Sequence, residues 1–152
     1  MTDATKLRSA FPDAVTSVDE YRGDVSVTVK PEALLAVCAF LRDDPGYCFR
    51  FLVDVTAVDY NDKTPRFVMV YHLLSHERNQ RLRIKVPLAG DTPEIESVTA
   101  IWPTADWHER EAYDLFGIGI LHHPDLRRIL LPDHWDCSPL RKDYPLEGRG
   151  EF

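Results

Sequence analysis

The sequence predicts an α+β domain with an antiparallel or mixed β-sheet, packed helices and an irregular, proline-rich C-terminal extension. Segments of alternating apolar and polar residues occur in pairs around turn residues, which is typical of β-hairpins. Separate segments between and after these pairs have apolar residues at helical spacing. Hairpins make neighbouring strands antiparallel, so an α+β arrangement is favoured over a doubly wound parallel sheet. Prolines then recur through the last part of the chain, where long regular elements are unfavourable.

The first third of the chain predicts a short helix, a hairpin and a second helix. Pro12 ends the first helix, and Gly23 lies in the hairpin turn between two segments of alternating valines. Pro31 occupies a favoured first helical position, and apolar residues follow it at helical spacing. The predicted elements are a helix at 4–11, strands at 15–21 and 25–30, and a helix at 32–42.

The middle of the chain predicts a second hairpin between two less regular segments. From Arg81 to Leu88, apolar and basic residues alternate, so the two kinds face opposite sides of a strand. The predicted elements are a strand at 47–53, a polar connection at 54–65, paired strands at 66–74 and 81–88, and a short strand at 97–102.

Residues 104–116 predict a helix of about three turns. The hydroxyl of Thr104 is suited to cap its first turn, and Gly117 is suited to a left-handed C-cap. We expect Trp107 to lie in the core. Arg110 is four residues from both Asp106 and Asp114, the spacing at which helical charges meet.

Glu109 is the unusual residue of this helix. It falls inside the apolar arc, between Phe116 and Tyr113. A carboxylate in that position must find a partner or raise its pKa. We therefore expect Glu109 to be more buried than Glu111 and to pair with an arginine from the C-terminal segment.

The segment after the helix mixes prolines with large apolar side chains. It is too apolar to be a free tail, so we expect it to lie along a protein surface. The predicted organisation is a core domain at 1–121 and an extended segment at 122–152. Because its prolines limit regular hydrogen bonding, we expect 132–152 to be less ordered without partners.

The last third of the chain resembles a known family. Its residues match in order and spacing the signature of the 30 kDa subunit, also called the C subunit, of respiratory NADH:quinone oxidoreductase (complex I). The residues assigned to this signature and to an interface are Trp107, Glu109, Arg110, Glu111, Asp114, Leu115, Phe116, His123, Arg127, Ile129, Leu130, Pro139, Leu140, Arg141, Lys142 and Asp143. The sequence departs from the family at Cys137-Ser138, where relatives usually carry Gly-His.

The resemblance implies a non-redox structural subunit in the hydrophilic arm of a proton-translocating complex. Such a subunit supports electron transfer from NADH to quinone by positioning the cluster-bearing subunits and the large subunit of the quinone pocket. FMN and iron–sulfur clusters then belong to other subunits, and NADH and quinone are reached only through the complex. The implied location is peripheral, on the cytoplasmic side of the inner cell membrane. The alternative within this class is the equivalent subunit of a membrane-bound hydrogenase or a plastoquinone-linked complex.

Composition supports some of these expectations. The 152 residues carry a net charge of −7, which argues against non-specific nucleic-acid binding. No apolar run approaches the roughly 18 residues of a membrane span, and the first eight residues lack the apolar stretch of a signal peptide. The three cysteines are far apart, which argues against a disulfide framework or a four-cysteine cluster site in this chain. No glycine-rich phosphate loop is present.

Two other kinds of site remain open. A catalytic group built from Glu109 and Glu111 with His108 is disfavoured, because the two glutamates are two residues apart on a helix and point about 200° apart. A standalone metal-dependent enzyme would instead use ligands such as imidazole and thiolate. Its candidate ligands are His122, His123, His134 and Cys137. The simpler interpretation is that His123 bonds to nearby backbone and holds the turn before Pro124.

Four basic residues of the extension are predicted to act as interface anchors, because apolar residues are interleaved with them. They are Arg127, Arg128, Arg141 and Lys142. For Arg141 and Lys142 we expect a role in assembly rather than in folding.

Overall fold

A five-stranded β-sheet forms the centre of the computed structural model, which describes residues 4–148. Its strands are β1 (Val15–Tyr21), β2 (Asp24–Val29), β3 (Phe51–Asp59), β4 (Phe67–Ser75) and β5 (Gln80–Leu88). The spatial order is β1-β2-β5-β4-β3. Two antiparallel units, β1–β2 and β3–β4–β5, are joined by parallel pairing of β2 with β5. Both predicted hairpins and the mixed α+β class are confirmed.

Three helices cover this sheet and contribute to its core. They are α1 (Ala4–Ala10), α2 (Leu34–Asp43) and α3 (Ala105–Phe116). A 3₁₀ turn, Pro31–Ala33, precedes α2. The helices share one hydrophobic cluster with the inward-facing strand residues. Its fully buried members include Leu7, Leu41, Phe67, Met69, Tyr71, Ile84 and Ile118. Within the described range, no helix has the length and apolar character needed to cross a membrane.

The strand predicted at 47–53 is wrong in both bounds, because β3 begins at Phe51 and continues to Asp59. Cys48 has a left-handed backbone (φ 53°), which interrupts an extended conformation. Tyr47 and Phe49 are buried in a loop, where the carbonyl of Phe49 accepts a 3.1 Å bond from the indole of Trp102. The alternating aromatic residues before β3 therefore resembled a strand in the sequence. The polar residues within β3 resembled a connecting loop.

The strand predicted at 97–102 is also wrong. This segment turns tightly, with the amides of Ile101 and Trp102 both donating to the Val98 carbonyl at 2.9 Å. The true strand is β6 (Glu94–Glu96), which pairs in parallel with β7 (Gly119–Leu121) directly after α3. Neither three-residue strand is long enough to show a clear alternation in the sequence.

The bounds of α3 are confirmed, but its predicted N-cap is not. Thr104 has a helical backbone and its side chain makes no capping bond. The first turn is instead closed by backbone bonds from Ala105 to the Trp102 carbonyl and from Asp106 to the Pro103 carbonyl. At the other end Gly117 is left-handed (φ 70°) and donates to the Tyr113 carbonyl, as expected of a C-cap glycine.

Candidate interaction site on helix α3

Asp114 holds the segment that follows α3 against the helix. Its fully buried carboxylate pairs with the guanidinium of Arg128 at 2.6 Å. It also accepts the backbone N–H groups of Ile129, Leu130 and Leu131 at 3.0, 2.8 and 2.9 Å. Burial alone would raise the pKa of Asp114, but these four donors together outweigh it and lower the pKa. The carboxylate therefore stays ionised and fixes the path of 128–131.

Arg110 supports the same segment from the opposite direction. Its guanidinium donates to the carbonyls of Arg127 and Arg128 at 3.1 and 3.0 Å. The predicted pairing of Arg110 with Asp106 and Asp114 is therefore replaced by contacts with the returning chain. Helical spacing could not reveal this, because the partners lie 17 and 18 residues later in the sequence.

Trp107 lies on the surface, so its predicted core position is wrong. It is 64% exposed, and the guanidinium of Arg110 lies 5.6 Å from the centre of its ring. Arg110 is itself buried and held by two carbonyls. The indole thus stands on a rigid cationic support while most of its area faces outward, which is an arrangement suited to contact with a partner.

Glu109 is completely buried and Glu111 is exposed, as the helical positions predict. The predicted arginine partner is wrong. The carboxyl group of Glu109 instead accepts the hydroxyl of Ser97 and the amide of Val98, both at 2.7 Å. These donors come from the tight turn at 97–102. Neutral donors such as a hydroxyl and an amide offset only part of the free-energy cost of burying an ionised carboxylate.

The pKa of Glu109 is raised from 4.5 to about 7, mainly by burial and also by the charge of Asp106, although the two hydrogen bonds lower it in part. The group also affects its surroundings. Burial and the charge of Glu109 raise the pKa values of the Cys38 thiol and the Tyr71 hydroxyl. Glu109 is thus a buried acid that exchanges its proton near neutral pH.

His123 joins the beginning of the extension to α3. Its buried ring lies with Nε2 3.2 Å from the Asp106 carbonyl oxygen, while the amide of Asp125 donates to Nδ1 at 3.1 Å. The bond received at Nδ1 favours the tautomer that carries its proton on Nε2. The expected role of His123 in fixing backbone before Pro124 is confirmed.

The candidate zinc ligands are not gathered into one site. The described residues contain no group of three His, Cys, Asp or Glu side chains suited to a metal ion. His122 is directed to Glu96 at 2.8 Å, and Cys137 is buried.

The end of the extension docks on the chain's own sheet. Asp59 has a fully buried side chain that pairs with Arg66 at 2.7 Å and accepts the backbone amide of Lys142 at 2.7 Å. Bonding to Arg66 is the main reason that the pKa of Asp59 is lowered. Arg66 also lies 2.9 Å from Asp143. Asp59 and Arg66 were not among the predicted site residues, although their opposite charges at the two ends of a polar segment were a usable signal.

Arg141 also contacts its own chain. Its guanidinium lies 4.9 Å from the ring centre of Phe67 and donates to the Asp91 carbonyl at 3.2 Å. Beside it, the amide of Leu140 donates to the Leu115 carbonyl at 3.0 Å. The expectation that Arg141 and Lys142 serve assembly rather than folding therefore needs correction, because this segment packs on its own domain.

We expect Asp59→Ala to detach the segment around Lys142 and to lower the free energy of unfolding by about 3 kcal/mol, because Arg66 loses its buried partner. Hydrogen exchange should show faster exchange of the Lys142 amide with unchanged protection in β4 and β5. Asp62→Ala is the matched control in the same loop, since Asp62 is exposed. Unchanged exchange at Lys142 in the Asp59 variant would contradict this docking.

The signature residues divide into an inner set, a partly exposed set and an outer set. The inner set is buried and consists of Glu109, Arg110, Asp114 and Phe116. A partly exposed set lies around it and comprises Leu115, His123, Ile129, Pro139 and Arg141. The outer set is exposed and comprises Trp107, Glu111, Arg127, Leu130, Leu140, Lys142 and Asp143. The inner set organises the segment, and the outer set includes apolar side chains available to a partner.

Comparison with known proteins places this arrangement in a family. The model of the "Respiratory-chain NADH dehydrogenase, 30 Kd subunit" family matches residues 27–150. The C subunit of NADH-quinone oxidoreductase from Citrifermentans bemidjiense is 54% identical, over 94% of this chain and 88% of that protein. The same subunit from a Roseiflexus species is 48% identical, over 93% of this chain and 81% of that protein.

Two solved structures are similar. A trypsin-resistant fragment of Nqo5 has a TM-score of 0.67 and 28% identity, covering 83% of this chain and 100% of that chain. A chain in the structure of a membrane-bound sulfane sulfur reductase, an archaeal respiratory membrane complex, has a TM-score of 0.79 and 20% identity. It covers 94% of this chain and 84% of that chain, and at this identity it shows the fold alone. Taken with the family model and the close relatives, these likenesses show that the chain belongs to the family of the 30 kDa subunit of respiratory-chain NADH dehydrogenase.

Proposed function

We propose that this chain is the non-redox, structural C subunit in the hydrophilic arm of a proton-translocating NADH:quinone oxidoreductase. The observation that carries the proposal is the rigid α3 site, where Asp114 and Arg110 fix the returning segment beneath exposed apolar side chains. Such a site positions neighbouring subunits and performs no electron transfer itself. FMN and iron–sulfur clusters belong to the other subunits, and this chain meets NADH and quinone only through the complex.

The partners proposed for this site are the large subunit of the quinone pocket and the cluster-bearing subunits. Five exposed apolar side chains lie on α3 and the segment that follows it, which fits a contact surface rather than a free extension. They are Trp107, Leu121, Leu130, Leu140 and Leu146. Residues 1–121 then form the core domain, and 122–152 form the extended segment that packs both on this core and against other subunits. The proposed location is peripheral, on the cytoplasmic side of the inner cell membrane.

Affinity purification from native membranes tests this function. A tagged chain should purify with cluster-bearing subunits and with NADH:quinone oxidoreductase activity. Purification with a hydrogenase, or with a complex that does not accept NADH, would identify a related complex instead. Stoichiometric metal in the purified chain alone would favour a metal-dependent enzyme.

Trp107→Ala is expected to weaken assembly without weakening the fold. An exposed indole contributes little to folding, whereas a tryptophan at the centre of an interface commonly contributes about 2 kcal/mol or more to binding. We expect a lower yield of intact complex on native gels and an unchanged melting temperature of the purified chain. Tyr21→Ala is the matched control, since Tyr21 is 69% exposed and also lies beside an arginine. Normal complex yield for the Trp107 variant would remove this residue from the interface.

A further inference from the structure

The outer face of the central sheet differs from its inner face. Alternate residues along each strand, such as Tyr71 and Ile84, face the core shared with the helices. The residues between them face outward. On this side Leu74 is paired with Arg81 and His72 with Arg83, so the outward side chains of β4 and β5 form two adjacent rows. The outer face of β3 and β4 thus carries Phe51, Val53 and Leu74 with Asp54 and His72 beside them, and that of β5 carries Arg81 and Arg83.

A groove of about 350 Å³ crosses this outer face. Phe51 and Val53 line it, and each is 45% exposed. Val53 is the extra residue of a β-bulge between Leu52 and Asp54, so it lines the groove together with Phe51, which is paired with Leu74. Two large apolar side chains that are half exposed beside a concave surface are typical of a contact site.

The basic wall of the groove is built from Arg81 and Arg83. The guanidinium of Arg83 donates to the Ser26 hydroxyl at 3.1 Å, and Asp24 lies 4.0 Å away with its side chain 67% exposed. That distance is too long for a direct hydrogen bond, so Arg83 is oriented by Ser26 without being neutralised at close range. An oriented guanidinium beside apolar side chains is suited to bind a carboxylate.

The groove also continues toward the α3 site. Asp54 lines the groove, and its carboxylate lies 3.1 Å from Nδ1 of His108, the residue after Trp107. The rim of the groove at Asp54 therefore lies beside α3, the helix that carries Trp107.

We propose that this groove, defined by Phe51, Val53, Leu74, Arg81 and Arg83, is a second docking surface, and that it binds a segment of a neighbouring subunit in which an apolar side chain lies next to an Asp or Glu. The inference rests on the proposed function, because it assumes that the chain is assembled with other subunits. Charge favours this occupant over a second copy of the chain. A twofold contact centred on the β5 side of the groove would bring the arginine walls of two copies toward each other.

Site-specific photocrosslinking in the assembled complex tests the proposal. A photoreactive amino acid replaces Phe51 in the full-length chain, which is expressed in cells that lack the native copy. Leu35, which is 39% exposed on α2, is the control position. After irradiation of membranes, we expect the Phe51 position to yield one crosslinked subunit. The crosslinked peptide should contain Asp or Glu within a few residues of a large apolar side chain.

Charge variants separate this binding mode from simple proximity. Arg81→Glu with Arg83→Glu should reduce the Phe51 crosslink about tenfold or more, because a buried charge pair becomes a repulsion. Arg81→Lys with Arg83→Lys should retain most of it. The melting temperature of the purified chain reports whether either pair of substitutions affects the fold.

Each outcome decides for or against the groove. Absence of a crosslink from Phe51, in a chain that still purifies with the complex, overturns the second surface and leaves the proposed function intact. A crosslink to lipid, to a second copy, to the chain itself or to a basic peptide also overturns it. The same peptide crosslinked equally from Leu35 would show non-specific labelling and would overturn it too. Failure of the tagged chain to enter any complex overturns the proposed function instead.

Discussion

Replacement of Asp114 by alanine is expected to lower the free energy of unfolding of the purified chain by about 3–5 kcal/mol. Among the described residues, Asp114 is the only carboxylate within salt-bridge distance of Arg128, and the variant removes it. It also leaves three backbone N–H groups, those of 129–131, without their acceptor. A fully buried donor without an acceptor costs about 1–3 kcal/mol, and these three donors are only partly buried, so they add less than that each.

Urea denaturation at neutral pH measures this effect, and Glu111→Ala is the control on the same helix. Glu111 is exposed, so its variant should remain within about 0.5 kcal/mol of the natural chain. We also expect Asp114→Ala to abolish assembly, because the segment that carries Leu130 loses its position. Equal stability of the two variants would show that 128–131 is held by other contacts.

The sign of the pH dependence follows from the lowered pKa of Asp114. Its folded pKa lies below the ordinary value, so its contribution is present at neutral pH. That contribution is lost as the pH falls through the lowered folded pKa. The natural chain should therefore lose stability in acid more steeply than Asp114→Ala does.

The sequence was sufficient for those elements whose pattern is local. Alternating residues predicted β4 and β5, and the apolar arc of α3 placed Glu109 inside the protein. The ends of a helix and the turn of a hairpin depend on residues only a few positions apart. The spacing of apolar residues along the sequence reflects such local contacts. The burial of Glu109 was predictable because its helical position is set by the same local rule.

The remaining features depend on contacts distant in sequence. Arg110 and Asp114 are buried because a segment more than ten residues later returns over them, and no periodicity records that return. The returning segment also supplies the carbonyl groups to which Arg110 donates. Trp107 lies beside Arg110 and remains exposed. Likewise, Asp59 is explained only by Arg66 and by the amide of Lys142, 83 positions away.

Glu109→Gln is expected to remove a pH dependence of stability from the neutral range. Because the folded pKa of Glu109 is raised from 4.5 to about 7, its contribution is complete below about pH 4.5 and is lost as the pH rises through about 7. A rise of that size corresponds to about 3 kcal/mol. Glutamine resembles the protonated acid, since its carbonyl can accept from Val98 and its amide can donate to the Ser97 oxygen. The variant should therefore be more stable than the natural chain at pH 8 and similar to it at pH 5.

The groups around Glu109 make a direct comparison with glutamine necessary. Asp106 and His123 approach it from α3 and from the extension. The charge of Glu109 in turn raises the pKa values of Cys38 on α2 and Tyr71 on β4. Subtracting the unfolding free energy of Glu109→Gln from that of the natural chain at each pH cancels their titration to first order. Glu111→Gln is the exposed control and should leave the pH profile unchanged. If the natural chain instead gained stability over Glu109→Gln between pH 5 and pH 8, Glu109 would be ionised and paired in the folded chain.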